Sequence, residues 1–284
     1  LQNCRMRWFL FLCLCWLGAP SWAAHAYAQF GDIKYPPDFS HFEYVNPQAP
    51  KGGSIAMVAP TRGSNFDKYN PFTLKGTPPP ALSSLLFESL LTGTMDEPTT
   101  SYGLLAEDVS VSADRLSATF KIRPQARFHN GDPVLASDVK YSFERLTSKQ
   151  AAPQFRTYFS EVKAVTVLGE RSIRFDFVRP NRELPLIVGS LPVFSHKWGL
   201  QGAVHKPLDQ MVMDVPISSG PYRMGPVQFG KDITYVRDPA YWGRDLNVRR
   251  GMANFDQITV KIYKDNTARL EALKAGEFDL MRFF

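Results

Sequence analysis

The sequence holds three cysteines, Cys4, Cys13 and Cys15, all close to the N-terminus. Past that region the chain can form no disulfide, build no thiolate metal site and use no cysteine nucleophile. It also lacks the G-x-S-x-G, H-E-x-x-H and G-x-G-x-x-G patterns, the marks of serine hydrolases, zinc proteases and dinucleotide folds. His41, His129, His196 and His205 stand far apart, without metal-ligand spacing. The excess of one sign of charge is small. The net charge of +6 becomes +4 when Arg5 and Arg7 are set aside with the N-terminal segment. Lys and Arg are scattered rather than striped, so nucleic acid is not an expected partner. The tight pair Arg249-Arg250 reads as a solvated loop. No internal repeat is visible.

What is present begins with a leader. Arg5 and Arg7 precede an apolar run from Trp8 to Gly18, then Pro20 and small residues. This is the pattern of a cleavable secretory signal, and the run is too short to span a membrane. Ala24-His25-Ala26 and Ala26-Tyr27-Ala28 both offer small-x-small cleavage sites. The expected mature start lies between Tyr27 and Gln29, with residues 1–28 as the signal peptide. Leu10-Phe11-Leu12 before Cys13 lacks the small residues of a lipoprotein box. A soluble periplasmic protein is the simplest outcome. The chain opens on Leu, which suggests a longer reading frame or a start at Met6. Its end on Phe283-Phe284, with no polar tail, suggests a fragment.

The rest, residues 29–284, suffices for one large or two small domains. Ser54 to Ala59 reads as a buried strand after Gly52-Gly53. Pro78-Pro79-Pro80 primes a helix carrying Leu82, Leu85, Leu86 and Leu90 on one face and ending at Gly93. Asp96 to Tyr102 reads as loop. Ser117 to Ile122 alternates, with Ala118, Phe120 and Ile122 on one face. Asn130-Gly131 is a turn, and Ser137 is an N-cap with Asp138 suited to the positive helix end. Val139, Phe143 and Leu146 then form an apolar stripe. Val162 to Val167 and Ser172 to Phe177 make a hairpin around Gly169. Pro180 to Trp198 carries no clear pattern. Ile217 to Tyr222 is a turn, and Ile233 to Val236 and Phe255 to Tyr263 are strands. Asp265 or Asn266 caps a helix over Thr267 to Ala275, and Glu277 to Leu280 begins another strand. Interleaved helices and strands with hairpins predict an α/β fold of mixed α+β sheets.

The chemistry on offer is sparse. Ser137 to Lys140 and Ser160 to Lys163 match S-x-x-K, but no K-T-G follows and Ser137 is explained as a cap. The loop Asn65, Phe66, Asp67, Lys68, Tyr69, Asn70 follows a strand end, where clefts form. It offers an acid, a base, amides and aromatics to a ligand. The bland alternative is a polar turn with Asp67 and Asn70 bonding their own backbone. Around Ser219, Gly220 and Tyr222 the glycine permits close backbone approach, so amides there can meet a ligand or merely make a tight turn. Glu88 reads as a helix-face charge, with Leu86, Phe87 and Leu90 as core. Tyr241 and Trp242 either stack on a ligand or pack under a loop. No cofactor and no metal site is expected.

The segment from Ala126 to Leu146, ARFHNGDPVLASDVKYSFERL, resembles a signature of bacterial family 5 extracellular solute-binding proteins. Gly52-Gly53 with its strand, Leu86-Phe87-Glu88-Ser89-Leu90, Ser219-Gly220-Pro221-Tyr222 and Leu273-Lys274-Ala275-Gly276-Glu277-Phe278-Asp279 match in the same order. Tyr241-Trp242-Gly243-Arg244-Asp245, Arg249-Arg250-Gly251 and Asn254-Phe255-Asp256 are most similar to the Yej-type branch, which serves importers of oligopeptides and microcin C. Asn130 and Ser137 depart from the family, standing where Asp and Glu are frequent. The resemblance implies the N-terminal lobe of a two-lobed periplasmic binding fold, with the second lobe missing. The lobe would be discontinuous, with about 29–72 and 210–284 as the main subdomain and about 73–209 inserted. It implies a non-catalytic, monomeric receptor that passes oligopeptides to an inner-membrane ABC importer permease. Same-fold receptors for a nickel chelate or an oligosaccharide, a periplasmic hydrolase and a peptide-holding scaffold are the alternatives.

Overall fold

The structure is a computed structural model, and it describes residues 24–59 and 65–281. The apolar leader run, its cysteines, residues 62–64 of the polar loop and Phe283-Phe284 lie outside the described residues. Along the chain, strands β1 (Ala26–Ala28) and β2 (Ser54–Val58) precede helix α1 (Leu82–Leu86) and the short strands β3 (Glu88–Ser89), β4 (Leu91–Gly93) and β5 (Thr100–Gly103). Next come β6 (Ala106–Val111), β7 (Ser117–Ile122), helices α2 (Ala136–Thr147) and α3 (Pro153–Tyr158), β8 (Val162–Gly169) and β9 (Ser172–Phe177). Helix α4 (Leu184–Gly189) and the two-residue strands β10 (Pro192–Val193), β11 (Leu200–Gln201) and β12 (Val204–His205) follow. The described chain closes with β13 (Tyr222–Gln228), β14 (Asp232–Arg237), β15 (Gln257–Lys261) and helix α5 (Asn266–Lys274).

Two four-stranded sheets organise the fold, in the orders β13-β14-β15-β2 and β6-β7-β9-β8. In the first, β2 runs parallel to β15, with Ile55 opposite Ile258. The second is antiparallel throughout. Its middle strand follows the alternation of its sequence. Ala118, Phe120 and Ile122 are fully buried, and Phe120 lies opposite Ile173 on β9. Helix α2 covers this sheet with Val139 and Leu146, while Phe143 meets Phe175 edge-on at 5.9 Å. A three-stranded sheet, β1-β5-β4, stands beside them. It packs on an aromatic cluster of Tyr35, Phe42 and Tyr102.

Three expected elements differ. Helix α1 stops at Leu86, because Phe87 turns extended at φ −99° and ψ 137°; Leu90 reaches the core beyond it from the bend between β3 and β4. Thr100–Gly103 is strand rather than loop, since residues 26–28 supply its partner. Ser137 is exposed inside α2 and does not cap it. Asp138 does, its Oδ2 accepting the Leu135 N–H at 3.0 Å, while its Oδ1 accepts from His196 N and Nδ1. Strands β7, β8, β9, β14 and β15 and helix α5 lie where alternation and caps put them; β2 is a strand but mostly half-buried rather than buried, and β6, β13, α3 and α4 carried no expectation. Asp265 caps α5 by accepting the Ala268 N–H at 2.8 Å. Leu280 forms a parallel bridge to Met57, the further strand start expected there.

Candidate functional site

The loop after β2 is built around a buried ammonium. Lys68 is buried, and its Nζ donates to Thr73 O at 2.6 Å, Lys75 O at 2.7 Å and Thr73 Oγ1 at 3.0 Å. Burial lowers its pKa. The hydrogen bonds fold residues 73–77 back over the loop. Asp67 donates its N–H to Thr77 O at 3.0 Å, and its Oδ1 accepts the Thr77 N–H at 2.6 Å. Gly76, at φ +81°, closes the arch where a Cβ would sit 2.6 Å from Asp67 Oδ1. Phe66 is buried against Phe229, with ring centroids 5.2 Å apart. Tyr69 is half-buried and stacks on the same ring. Asn70 is buried, its Nδ2 donating to Leu208 O and its Oδ1 accepting the Phe72 N–H. Asn65 and Asp67 are the exposed polar residues. Asp67 and Lys68 line a cavity of about 500 Å³ with Lys75, Lys149, Arg156 and Asp209. Four bases and two acids therefore line an open concavity.

The turn at Ser218–Tyr222 is engaged from the inside. The Gly220 N–H donates to Leu86 O at 2.8 Å, and a Cβ there would lie 2.5 Å from the carbonyls of both Leu85 and Leu86. Glycine is needed here for backbone-to-backbone approach. The His129 N–H donates to Ser218 O at 2.8 Å, and its Nε2–H donates to Gly220 O at 2.8 Å. His129 is thus a mostly buried strut, and burial lowers its pKa. Ser219 is buried; its carbonyl accepts from Trp242 Nε1 at 3.0 Å, and its Oγ has no partner. Tyr222 is buried, and its hydroxyl donates to Phe255 O at 2.9 Å. Tyr222 borders a second cavity of about 350 Å³ that none of the Asn65–Asn70 residues line. The two sequence-selected groups therefore face different cavities.

Sequence reasoning missed the group behind that second cavity. The Glu88 side chain is 1% exposed. It accepts from the Tyr241 hydroxyl, from Trp242 Nε1 at 3.1 Å and from Arg249 Nε at 3.3 Å. Burial raises its pKa, opposed first by the Arg249 charge and then by the Tyr241 hydroxyl. The Tyr241 phenol is held well above its ordinary range by burial and by the neighbouring carboxylate. Glu88 is therefore no helix-face charge, and Arg249 is no solvated loop residue. The signal present in the sequence was the pairing of one acid, Glu88, inside an apolar run with one tight basic pair far downstream. Among the described residues no three His, Cys, Asp or Glu side chains gather to hold a metal, and no helix is long and apolar enough to cross a membrane.

The body is mixed α/β, with open cavities of mixed charge and a deeply buried ion pair. Residues 100–284 match the family model described as bacterial extracellular solute-binding proteins, family 5 middle. The chain belongs to this family, and to its Yej type. It is 40% identical over 253 residues to the probable peptide-binding protein YejA of Agrobacterium fabrum, covering 88% of this chain and 40% of that one. Its fold is similar to that of the oligopeptide-binding protein AppA of Bacillus subtilis in complex with a nonapeptide, with a TM-score of 0.66 at 20% identity, over 82% of this chain and 44% of AppA. It is similar to NikA of Brucella suis in complex with Fe(III)-EDTA, with a TM-score of 0.65 at 22% identity, over 80% of this chain and 43% of NikA. The chain thus spans 40% of the length of its Agrobacterium relative. These relatives are binding proteins, and their family is extracellular.

Proposed function

We propose that this chain is the ligand-capturing N-terminal part of a periplasmic oligopeptide receptor that serves an ABC importer and does no chemistry on its ligand. The observation that carries the reading is the 40% identity with a relative named as a probable peptide-binding protein. The site geometry supports it. The lining of the 500 Å³ cavity offers both charge signs, which suits a zwitterionic peptide with hydrated space for varied side chains. Asn65 and Asp67 are the exposed polar residues of the loop that meet ligand, Asp67 from this lining; Phe66, Tyr69 and Asn70 hold the loop, and Ser219, Gly220 and Tyr222 act through the scaffold. The sheet order supports the discontinuous division, because β2 joins β13–β15 while β6–β9 form their own sheet. The S-x-x-K pairs support no catalysis: Lys140 lies 3.9 Å from Glu144, and Ser160 Oγ donates to Thr157 O. The receptor works as a monomer with the permease as its partner.

Titration calorimetry of a mixed oligopeptide pool, with mass spectrometry of the pool afterwards, tests this. Binding heat with unchanged peptide masses, weakened by Asp67→Ala, is the expected result. Peptide cleavage lost on Ser137→Ala would overturn it. The equal likeness to NikA favours one second reading, a receptor for a metal chelate. Saturable heat with Fe(III)-EDTA and none with peptides would establish that instead.

A further inference from the structure

The residues that follow the apolar leader are structural. Ala24 exchanges two hydrogen bonds with Val109, each 2.9 Å. His25 accepts the Gly103 N–H on its carbonyl at 2.8 Å, and its Nε2–H donates to Tyr35 O at 2.8 Å. Ala26 is 2% exposed. It lies opposite Tyr102, with Tyr27 opposite Ser101 and Ala28 opposite Thr100. The Tyr27 hydroxyl reaches Arg182 O at 2.8 Å. Strand β5 is thus the centre of its three-stranded sheet only while residues 26–28 stay attached.

The sequence offers several small-x-small sites. Cleavage after Ala26 would remove four of these five hydrogen bonds, and cleavage after Ala28 all of them. Either would uncover the fully buried Tyr102 and leave the backbone of β5 unpaired along one edge. Ser21-Trp22-Ala23 provides a third small-x-small site whose scissile bond lies just before the first anchored residue. We infer that the leader is removed by hydrolysis of the Ala23–Ala24 peptide bond, so that the mature protein begins at Ala24 and keeps β1. A signal peptidase adds water across that amide. The new carboxylate leaves on Ala23 with the leader, and the new ammonium stays on Ala24. There it still donates to the Val109 carbonyl, now as a charge-assisted bond.

This inference rests on the periplasmic reading, and one experiment separates the two. The chain is expressed with its leader, and the N-terminus of the periplasmic protein is read by mass spectrometry. A protein beginning at Ala24 is expected. One beginning at Tyr27 or Gln29 overturns the inference and leaves the periplasmic reading intact. A protein retaining residues 1–20 overturns both. A second measurement compares chains started at Ala24 and at Gln29 in the cytoplasm. The shorter chain should unfold roughly 5–10 °C lower, from the lost sheet edge and side-chain bonds. Equal midpoints would show that β1 is dispensable and would remove the argument for this cleavage bond.

Discussion

Replacing Glu88 by glutamine keeps the side-chain shape and removes its charge. Arg249, whose side chain is 20% exposed, then loses its carboxylate partner. The Tyr241 hydroxyl and Trp242 Nε1 keep only an amide oxygen between them, with Ser219 O as a second acceptor for the indole. Breaking a buried ion pair from one side costs about 3–5 kcal/mol, because the remaining charge is left in a poorly solvated place. For a chain of this size that is a fall in midpoint of roughly 6–20 °C. Thermal unfolding followed by circular dichroism measures it. Arg244→Gln is the control, since Arg244 and Asp245 are 67% and 89% exposed and their pairing should leave no measurable trace. Glu88→Leu combined with Arg249→Met should lose less than the sum of the two single changes, by roughly 1–3 kcal/mol. A loss below about 1 kcal/mol for Glu88→Gln would mean that Glu88 folds as a neutral acid, which glutamine imitates. The ion-pair reasoning would then be wrong.

Gly220→Ala drives a methyl into two backbone carbonyls and should cost at least ~2 kcal/mol, read from the urea midpoint. Asp138→Ala, which removes the cap of α2 and the His196 contacts, should cost about 1–3 kcal/mol. Ser137→Ala should stay within ~0.5 kcal/mol in the same assay, because that serine is exposed. His129 gives the pH dependence. Its folded pKa is lowered by burial, so below about pH 6.5 the unfolded chain binds protons that the folded one does not, and stability falls as pH falls. His129→Gln keeps an N–H for the Gly220 carbonyl and should flatten the midpoint between about pH 7.5 and 5; an unchanged slope would assign it to other groups.

The elements legible in the sequence are those whose burial is decided by their own neighbours. Strand β7 is right to the residue because its alternation matches a sheet with one buried face. The β8–β9 hairpin and α5 are right because a turn glycine and the Asp265 cap act locally. The spacing makes helix α1 too long, because Leu90 keeps helical spacing while reaching the core from the bend between β3 and β4. Strand β5 was read as loop because its partner, residues 26–28, was assigned to the leader. The Asn65–Asn70 loop could be picked out from its position after a strand. Its inner logic could not, since a lysine is by default an exposed residue, and Lys68 is buried only because three oxygens of residues 73–75 surround it. Glu88 stands out as an acid inside an apolar run, but its partners cannot be picked from the sequence, since Tyr241 stands 153 residues away.

These distant partners share one place in the fold. The chain passes from the β2 sheet toward the β6–β9 sheet through residues 86–89 and returns through 218–222. At these passages Gly220 is bonded to Leu86, Trp242 to Ser219, and Glu88 to Tyr241, Trp242 and Arg249. His129, from the turn that precedes α2, is bonded to both Ser218 and Gly220. These bonds draw five separate stretches of the chain together at the crossing, one of them between buried charges. The crossing is therefore clamped where the chain passes and returns. The family motifs Leu86-Phe87-Glu88-Ser89-Leu90 and Ser219-Gly220-Pro221-Tyr222 gain a physical meaning from that. They are the two halves of the clamp, one on each passage of the chain.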